Sequence, residues 1–365
     1  MYLYYVLGLA FILIGFFIKG NFKIGSCGLS NKKKKLFIAI TFGIMIFLSA
    51  FKSVNVGTDT IHYYGIFNWL ISSNSFGRYE PGFALLNVMI DRCGGTFQSV
   101  VITSSLVMFI PFAIYIYQES EDVVFSTLIF YALYFISFNT MMRQGMAMGI
   151  SAIALLCCKH KKYVSFLLLA LLAFTMHQSA FIILVFPILL YLKYQFHNFF
   201  ICIIIAYLMG RFDLVRLIIN QLNVDISYAT NQGAGGINAV MLTMISFVTL
   251  VAFYCTGNTK EKSGKKVGFQ GSRFENSKFG IWSIFIYTML NIMTLSIPVL
   301  NRFGSYFEIG FLTFLPNKLA NESDGTKKIL VYFLVIFMYG IYQTIVFIYR
   351  PLWGGVFPYS FCWSQ

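Results

Sequence analysis

A chain of 365 residues that is 58% apolar, 19% aromatic and only 11% charged lies outside the range of soluble globular domains, in which about 25% of residues are charged. Its mean hydropathy of +0.74 places it among polytopic membrane proteins. The net charge of +14 reflects orientation in a bilayer and not nucleic-acid binding, because the basic residues are scattered through short loops between apolar segments instead of forming one face.

The first apolar run, roughly 2–18, has no basic residue before it and no small-residue cleavage site, so it reads as a retained helix and not as a secretory signal peptide. Further runs follow at roughly 36–51, 96–117, 123–138, 144–158, 163–176, 179–192, 199–210, 238–256, 279–299, 303–316 and 329–348. They predict an all-α, polytopic integral membrane protein with about 12 transmembrane helices in a single domain covering 1–365. Loops 19–35, 118–122, 159–162, 193–198, 257–278 and 317–328 hold 19 of the 27 Lys and Arg residues, so the positive-inside bias puts both termini outside. Of the outer segments, 52–95 and 211–237 are long. The first contains GFALLNVMI (82–90), which is suited to a helix lying at the outer interface. The second reads as an amphipathic helix ending in a glycine-rich turn placed to cover a cavity. The inner loop 257–278 is rich in Gly, Ser and Lys, as expected of a flexible tether beside anionic lipid.

Three apolar hairpins reverse at polar residues: Asn139 to Arg143, His177 with Gln178, and Asn301 with Arg302. A crossing needs about 20 residues at about 1.5 Å each, and these hairpins are short, so their turns are expected to be sunken. Ionisable groups at membrane depth are costly unless they face a wet cavity or a partner, which marks them as functional. Arg143 and Arg302 suit a diphosphate, because a guanidinium offers five donors in a planar fork. Glu308 is a candidate ion partner for Arg302. His177 has the titration range of a general base for a hydroxyl nucleophile. In the loop after the second run, Asp59, His62, Arg78, Glu80 and several tyrosines form a set suited to sugar hydroxyls and pyranose faces. Gly145 with Gly149 makes a small-residue stripe for close helix packing. No metal-ligand spacing appears among the seven cysteines and four histidines, so no metal or other cofactor is expected. Cys93 and Cys362 fall on the same outer side, and the sequence leaves their pairing open.

Several of these pieces recur in a fixed order: Gly57-Thr58-Asp59-Thr60 followed by Tyr63, Tyr79-Glu80-Pro81-Gly82, Arg143-Gln144 with Ala147, His177-Gln178-Ser179-Ala180, Arg302 with Tyr306, and Phe357-Pro358-Tyr359. In that order and spacing the chain resembles the EpsG/Wzy-type family of exopolysaccharide, capsule and O-antigen polymerases. The resemblance implies a membrane glycosyltransferase of the bacterial inner (plasma) membrane, with a GT-C-like fold and metal-independent chemistry. It implies that donor and acceptor are oligosaccharide repeat units linked to undecaprenyl diphosphate, with membrane lipids and a chain-length regulator protein as further partners. On this reading Arg143 and Arg302 hold the diphosphate, His177 is the base and Asp59 assists it. Glu80, Gln144, Tyr63, Tyr306 and Tyr359 contact substrate. A lipid-linked oligosaccharide flippase and a membrane O-acyltransferase are the rival functions.

Overall fold

Inside lipid, a segment must satisfy its own backbone donors and acceptors, and the α-helix does so within one stretch of chain. A computed structural model describes residues 2–19, 29–73, 75–77, 79–193, 196–214, 217, 243–246, 248–249, 270–294, 297–320, 322, 324–349 and 354–364. The helices are α1 Tyr2–Lys19, α2 Asn31–Ala50, α3 Thr60–Ser73, α4 Pro81–Arg92, α5 Phe97–Glu119, α6 Val123–Phe138, α7 Met142–Lys159, α8 Tyr163–Met176, α9 Phe186–Tyr191, α10 Phe196–Arg211, α11 Gln270–Met293, α12 Leu300–Gly304, α13 Phe314–Ala320 and α14 Gly325–Tyr349. Within α6, Tyr131–Phe135 is a π-helical turn. Two 3₁₀ segments, Gln178–Val185 and Ser305–Leu312, precede α9 and α13. Among the described residues, extended pairing is limited to one antiparallel bridge between Lys52 and Phe361. Helices α1, α5 and α14 are long and apolar enough to cross a bilayer, and shorter apolar helices accompany them.

Most of 211–237, 238–256 and 257–278 lies outside the described residues. Helix α11 starts at Gln270, within the stretch read as the end of the inner loop. Run 303–316, expected as one helix, is instead broken into the end of α12, a 3₁₀ segment and α13. The chain forms two compact units, Met1–Leu184 with Tyr339–Gln365, and Val185–Met338.

In the first unit, α5 and α7 approach so closely that a Cβ on Gly149 would lie 2.3 Å from the Val107 carbonyl oxygen, and one on Gly145 2.5 Å from Met108 Sδ. The glycine stripe is therefore a packing surface. Phe109, Phe112, Phe130, Tyr134 and Phe138 are all buried and meet with ring centroids 4.8–6.0 Å apart, all tilted or edge-on as aromatic quadrupoles favour except the stacked Phe130–Tyr134 pair. Where α5 and α7 end, Lys159 Nζ donates to Glu119 at 2.9 Å and to the Tyr115 hydroxyl at 3.3 Å. The sequence placed Lys159 in an inner loop; its side chain is in fact 4% exposed, because Glu119 at the last position of α5 supplies its countercharge.

Residues 354–364 return to the segment after α2. Ser53 N donates to Ser360 O at 2.9 Å, Gly57 N to Gly355 O at 2.8 Å and Cys362 N to Phe51 O at 2.9 Å. The Tyr4 hydroxyl in α1 donates to Val356 O at 2.7 Å. Cys93 and Cys362 are both free thiols, so the pairing left open by the sequence is absent.

In the second unit, Phe186 of α9 packs against Phe279 of α11 and against Phe307, with centroids 5.2 and 5.9 Å away. Thr294 lies in a turn bonded back to Leu290, and Leu300 N donates to Ile297 O at 3.1 Å as α12 begins.

Gly57 adopts φ +91, and a Cβ there would sit 2.0 Å from the Asn139 carbonyl oxygen. Gly57→Ala is therefore expected to lower stability by about 2 kcal/mol or more, through a strained backbone and a direct clash. Gly65→Ala in α3, where a Cβ meets nothing within 4 Å, is expected to be neutral or to gain up to about 1 kcal/mol from helix propensity. Thermal unfolding in detergent compares the two; equal shifts would contradict the packing described.

Candidate functional site

The reversal between α6 and α7 is built from local hydrogen bonds. Asn139 Nδ2 donates to Phe135 O at 2.8 Å, Thr140 Oγ1 to Ser137 O at 2.8 Å, and Met141 N to Ser137 O at 2.9 Å. It delivers Arg143 in the first turn of α7. The guanidinium Nη1 donates to Glu80 Oε2 at 2.5 Å, and it lies over the rings of Tyr63 and Phe83 at 5.6 and 5.8 Å from their centroids. Tyr63 of α3 and Glu80 and Phe83 at the start of α4 therefore surround a single cation carried by α7. A quarter of the Arg143 side chain stays exposed, against 11% for Glu80. Burial pushes the Tyr63 phenol above its usual range, and the guanidinium beside it pulls the other way.

Glu80 occupies the N-cap position of α4, yet its side chain makes no capping bond. Glutamate is a poor cap, and here its carboxylate is turned to Arg143 instead. Pro81 follows at the first helical position, where its missing N–H costs nothing. A Cβ on Gly82 would fall 2.4 Å from Thr175 Oγ1, so the first turn of α4 rests on the last turn of α8. That contact brings Glu80 and Arg143 to the end of α8 that carries His177.

His177 caps α8 in extended backbone and is partly exposed. Its Nδ1 lies 2.6 Å from Ser179 Oγ and receives the Ser179 backbone N–H at 3.3 Å. A backbone N–H can only donate, so this contact favours the tautomer with hydrogen on Nε2. In the other tautomer Nδ1–H donates to Ser179 Oγ, and Nε2 carries the ring's lone pair. The short 2.6 Å contact serves both forms, so the ring can move a proton without losing its anchor.

Asp59 is partly exposed just before α3, and its carbonyl accepts from Tyr63 N at 3.0 Å. Its charge acts on both Tyr63 and Lys52. Gln144, next to Arg143, is buried. Tyr359 spends its hydroxyl on Leu48 O at 2.5 Å, which makes it a clamp between the returning tail and α2. His62 is exposed, and Arg78 lies outside the described residues. Arg302 and Tyr306 belong to the second unit. Arg302 sits inside α12 and not at the apex of the turn, while Tyr306 is buried in the 3₁₀ segment that follows. Glu308 lies in the same 3₁₀ segment as Tyr306. Sequence reasoning missed Lys52, whose Nζ donates to the Asn139 carbonyl oxygen, and the roles of Phe83 and Ser179. The one signal for Lys52 was a lysine adjoining the Gly57-to-Thr60 motif.

The model of the EpsG family matches residues 35–361, from within α2 to the returning tail. The chain belongs to the EpsG family. No curated protein and no solved structure matches it. For an EpsG-family protein the indicated function is of the polysaccharide polymerase type, carried out in a membrane. Arg143 thus presents a guanidinium fixed against Glu80, and His177 an imidazole anchored on Ser179.

A partly buried pair such as Arg143–Glu80 is expected to couple by about 1–2 kcal/mol. Glu80→Gln and Arg143→Met should each lower the melting temperature of the detergent-solubilised protein. The double variant should lose less than the sum; strictly additive losses would remove the pair from the site.

Proposed function

We propose that this EpsG-family protein joins oligosaccharide repeat units, each carried on undecaprenyl diphosphate, into a surface polysaccharide by glycosyl transfer at the outer face of the bacterial inner membrane. The observation that carries this reading is Arg143: a permanent cation held between two aromatic rings and one carboxylate, partly exposed, and at the same helix ends as His177. A guanidinium fixed in this way is preorganised for the charge that develops on a departing diphosphate, which is where electrostatic stabilisation lowers a barrier most.

In the proposed step the acceptor hydroxyl oxygen attacks the anomeric carbon of the donor sugar. The bond from that carbon to the diphosphate oxygen breaks, and its electron pair leaves with undecaprenyl diphosphate. The acceptor proton passes to Nε2 of His177 in the tautomer whose Nδ1–H is donated to Ser179 Oγ. Atoms and charges balance without an added reactant. Asp59 and Glu80 orient sugar hydroxyls, and Gln144, Tyr63 and Tyr359 shape their surroundings. The residue pattern, and not any placement, assigns Arg302 and Tyr306 a share in binding the diphosphate. Fourteen helices and connecting turns are described, and the GT-C-like architecture with about 12 crossings remains part of this proposal.

Loss of a general base costs about 10²- to 10⁴-fold in rate. With His177→Ala, Arg143→Ala or Arg302→Ala in the native host, the surface polymer ladder is expected to vanish on a gel while a single capped repeat remains. An unchanged ladder would refute the assignment. The membrane face is tested separately with Gln178→Cys, an exposed position beside His177, in a background stripped of other reactive cysteines. Labelling of intact cells by an impermeant thiol reagent is expected, and labelling confined to the inner side would favour an acyltransferase drawing on a cytosolic donor.

A further inference from the structure

A lysine just past the end of a membrane helix ordinarily extends its stem along the lipid and leaves its ammonium among the headgroups. Lys52 does the reverse. It follows α2 by two residues, is 3% exposed, and sends Nζ inward to the Asn139 carbonyl oxygen. Asn139 is the C-cap of α6. The last carbonyls of a helix lack partners within it and carry roughly half a negative charge between them, so a cation there both closes the hydrogen bonds and meets the dipole. Two further contacts make this a built arrangement. The same Asn139 oxygen is the atom that excludes a Cβ from Gly57, and the Lys52 backbone is bridged to Phe361 of the returning tail. Arg143 follows four residues after Asn139 across the α6–α7 reversal.

Resting on the function proposed above, we propose that Lys52 is a positioning residue of the transfer site: its buried ammonium, tied to the carbonyl end of α6 and facing Asp59, fixes the turn that delivers Arg143 and so governs the transfer rate without touching substrate.

The surroundings add a pH dependence. Burial pushes Lys52 down from its ordinary range to about 7, while Asp59 pulls it back up. The titratable and charged groups on the elements packed around it are Asp59 in its own segment, Tyr359 and Cys362 in the tail, and Arg143 at the head of α7; Asp59 is the one whose charge acts on Lys52. Because the lysine is shifted downward, the ammonium prevails below about 7 and the neutral amine above it. The charge that faces Asp59 and the helix end is therefore lost as pH rises. His177 works in the opposite sense, since it must be neutral to accept a proton, so the wild-type profile should rise on the acid side and fall on the alkaline side.

The test is the rate at which labelled lipid-linked repeat units enter polymer in spheroplasts, expressed per tagged protein inserted, between about pH 6 and 9. Lys52→Met is expected to lower the rate about 10- to 100-fold, the penalty of a modest misplacement of catalytic groups. Lys52→Arg, which stays charged throughout, is expected to keep most of the rate and to flatten the alkaline fall. An unaltered rate in Lys52→Met, or a wild-type alkaline fall in Lys52→Arg, overturns the proposal. If neither variant inserts, the wild-type profile decides, because a rate that stays flat above about pH 7 also overturns it. Failure of the function itself looks different: polymer would then persist in Arg143→Ala and His177→Ala. Loss of polymer in those two with normal rates in Lys52→Met removes the positioning role alone.

Discussion

The first unit is organised around one oxygen atom. The Asn139 carbonyl at the end of α6 receives the Lys52 ammonium on one side and the bare α-carbon of Gly57 on another. Gly57 in turn gives its N–H to Gly355, so the tail, the segment after α2 and the α6–α7 reversal meet at that point. None of these three pieces has regular structure of its own to hold it. An unpaired buried carbonyl costs about 1–3 kcal/mol and an unpaired buried ammonium considerably more, so each group is tolerable only because the other is present. This mutual requirement gives a reversal between two helices one defined shape, and Arg143 inherits its position from that shape.

Arg143 shows why a site can be well ordered without being a large source of stability. Its pair with Glu80 is partly exposed, and such pairs contribute little net free energy, because the gain in attraction is offset by lost hydration. The geometry gains more. Tyr63 and Phe83 bracket the guanidinium, Glu80 fixes one Nη, and the side chain has little freedom left to lose when a phosphate arrives. A lysine in its place would keep the charge but not the planar fork or the ring contacts. Glu80 also offsets the positive charge, and on the function proposed an incoming diphosphate meets a cation that is already oriented.

The parts of this arrangement visible in the sequence are those set by short spacing. Apolar periodicity gives the helices, Asn139 and His177 mark true helix ends, and Gly145 with Gly149 marks a close helix crossing. Glu80-Pro81-Gly82 is a complete local sentence as well: a carboxylate, a helix start and a gap for α8. What was illegible depends on partners distant in the chain. Lys52 and Lys159 look like ordinary loop cations, and nothing local announces that Asn139 and Glu119 will bury them. Tyr359 looks like an aromatic free to line a groove until the Leu48 carbonyl claims its hydroxyl. Asn301 and Pro298 suggest a turn at Arg302, but a short helix has begun at Leu300 before Arg302 is reached.

The two 3₁₀ segments were also invisible to a search for apolar runs, and they resolve a difficulty of length. A 3₁₀ helix rises about 2.0 Å per residue where an α-helix rises about 1.5 Å, so eight residues reach about 16 Å and not about 12 Å. Gln178–Val185 follows directly on His177, and Ser305–Leu312 follows directly on the helix containing Arg302. In each unit, then, the chain makes a polar element and immediately stretches. The poorer hydrogen-bond geometry of the tighter helix is a cost that apolar sequence alone does not require. It becomes intelligible if the polar residue must stay recessed while the chain behind it covers the remaining distance. His177 and Arg302 thus share one local arrangement, a polar residue at or near a helix end with a 3₁₀ stretch directly behind it.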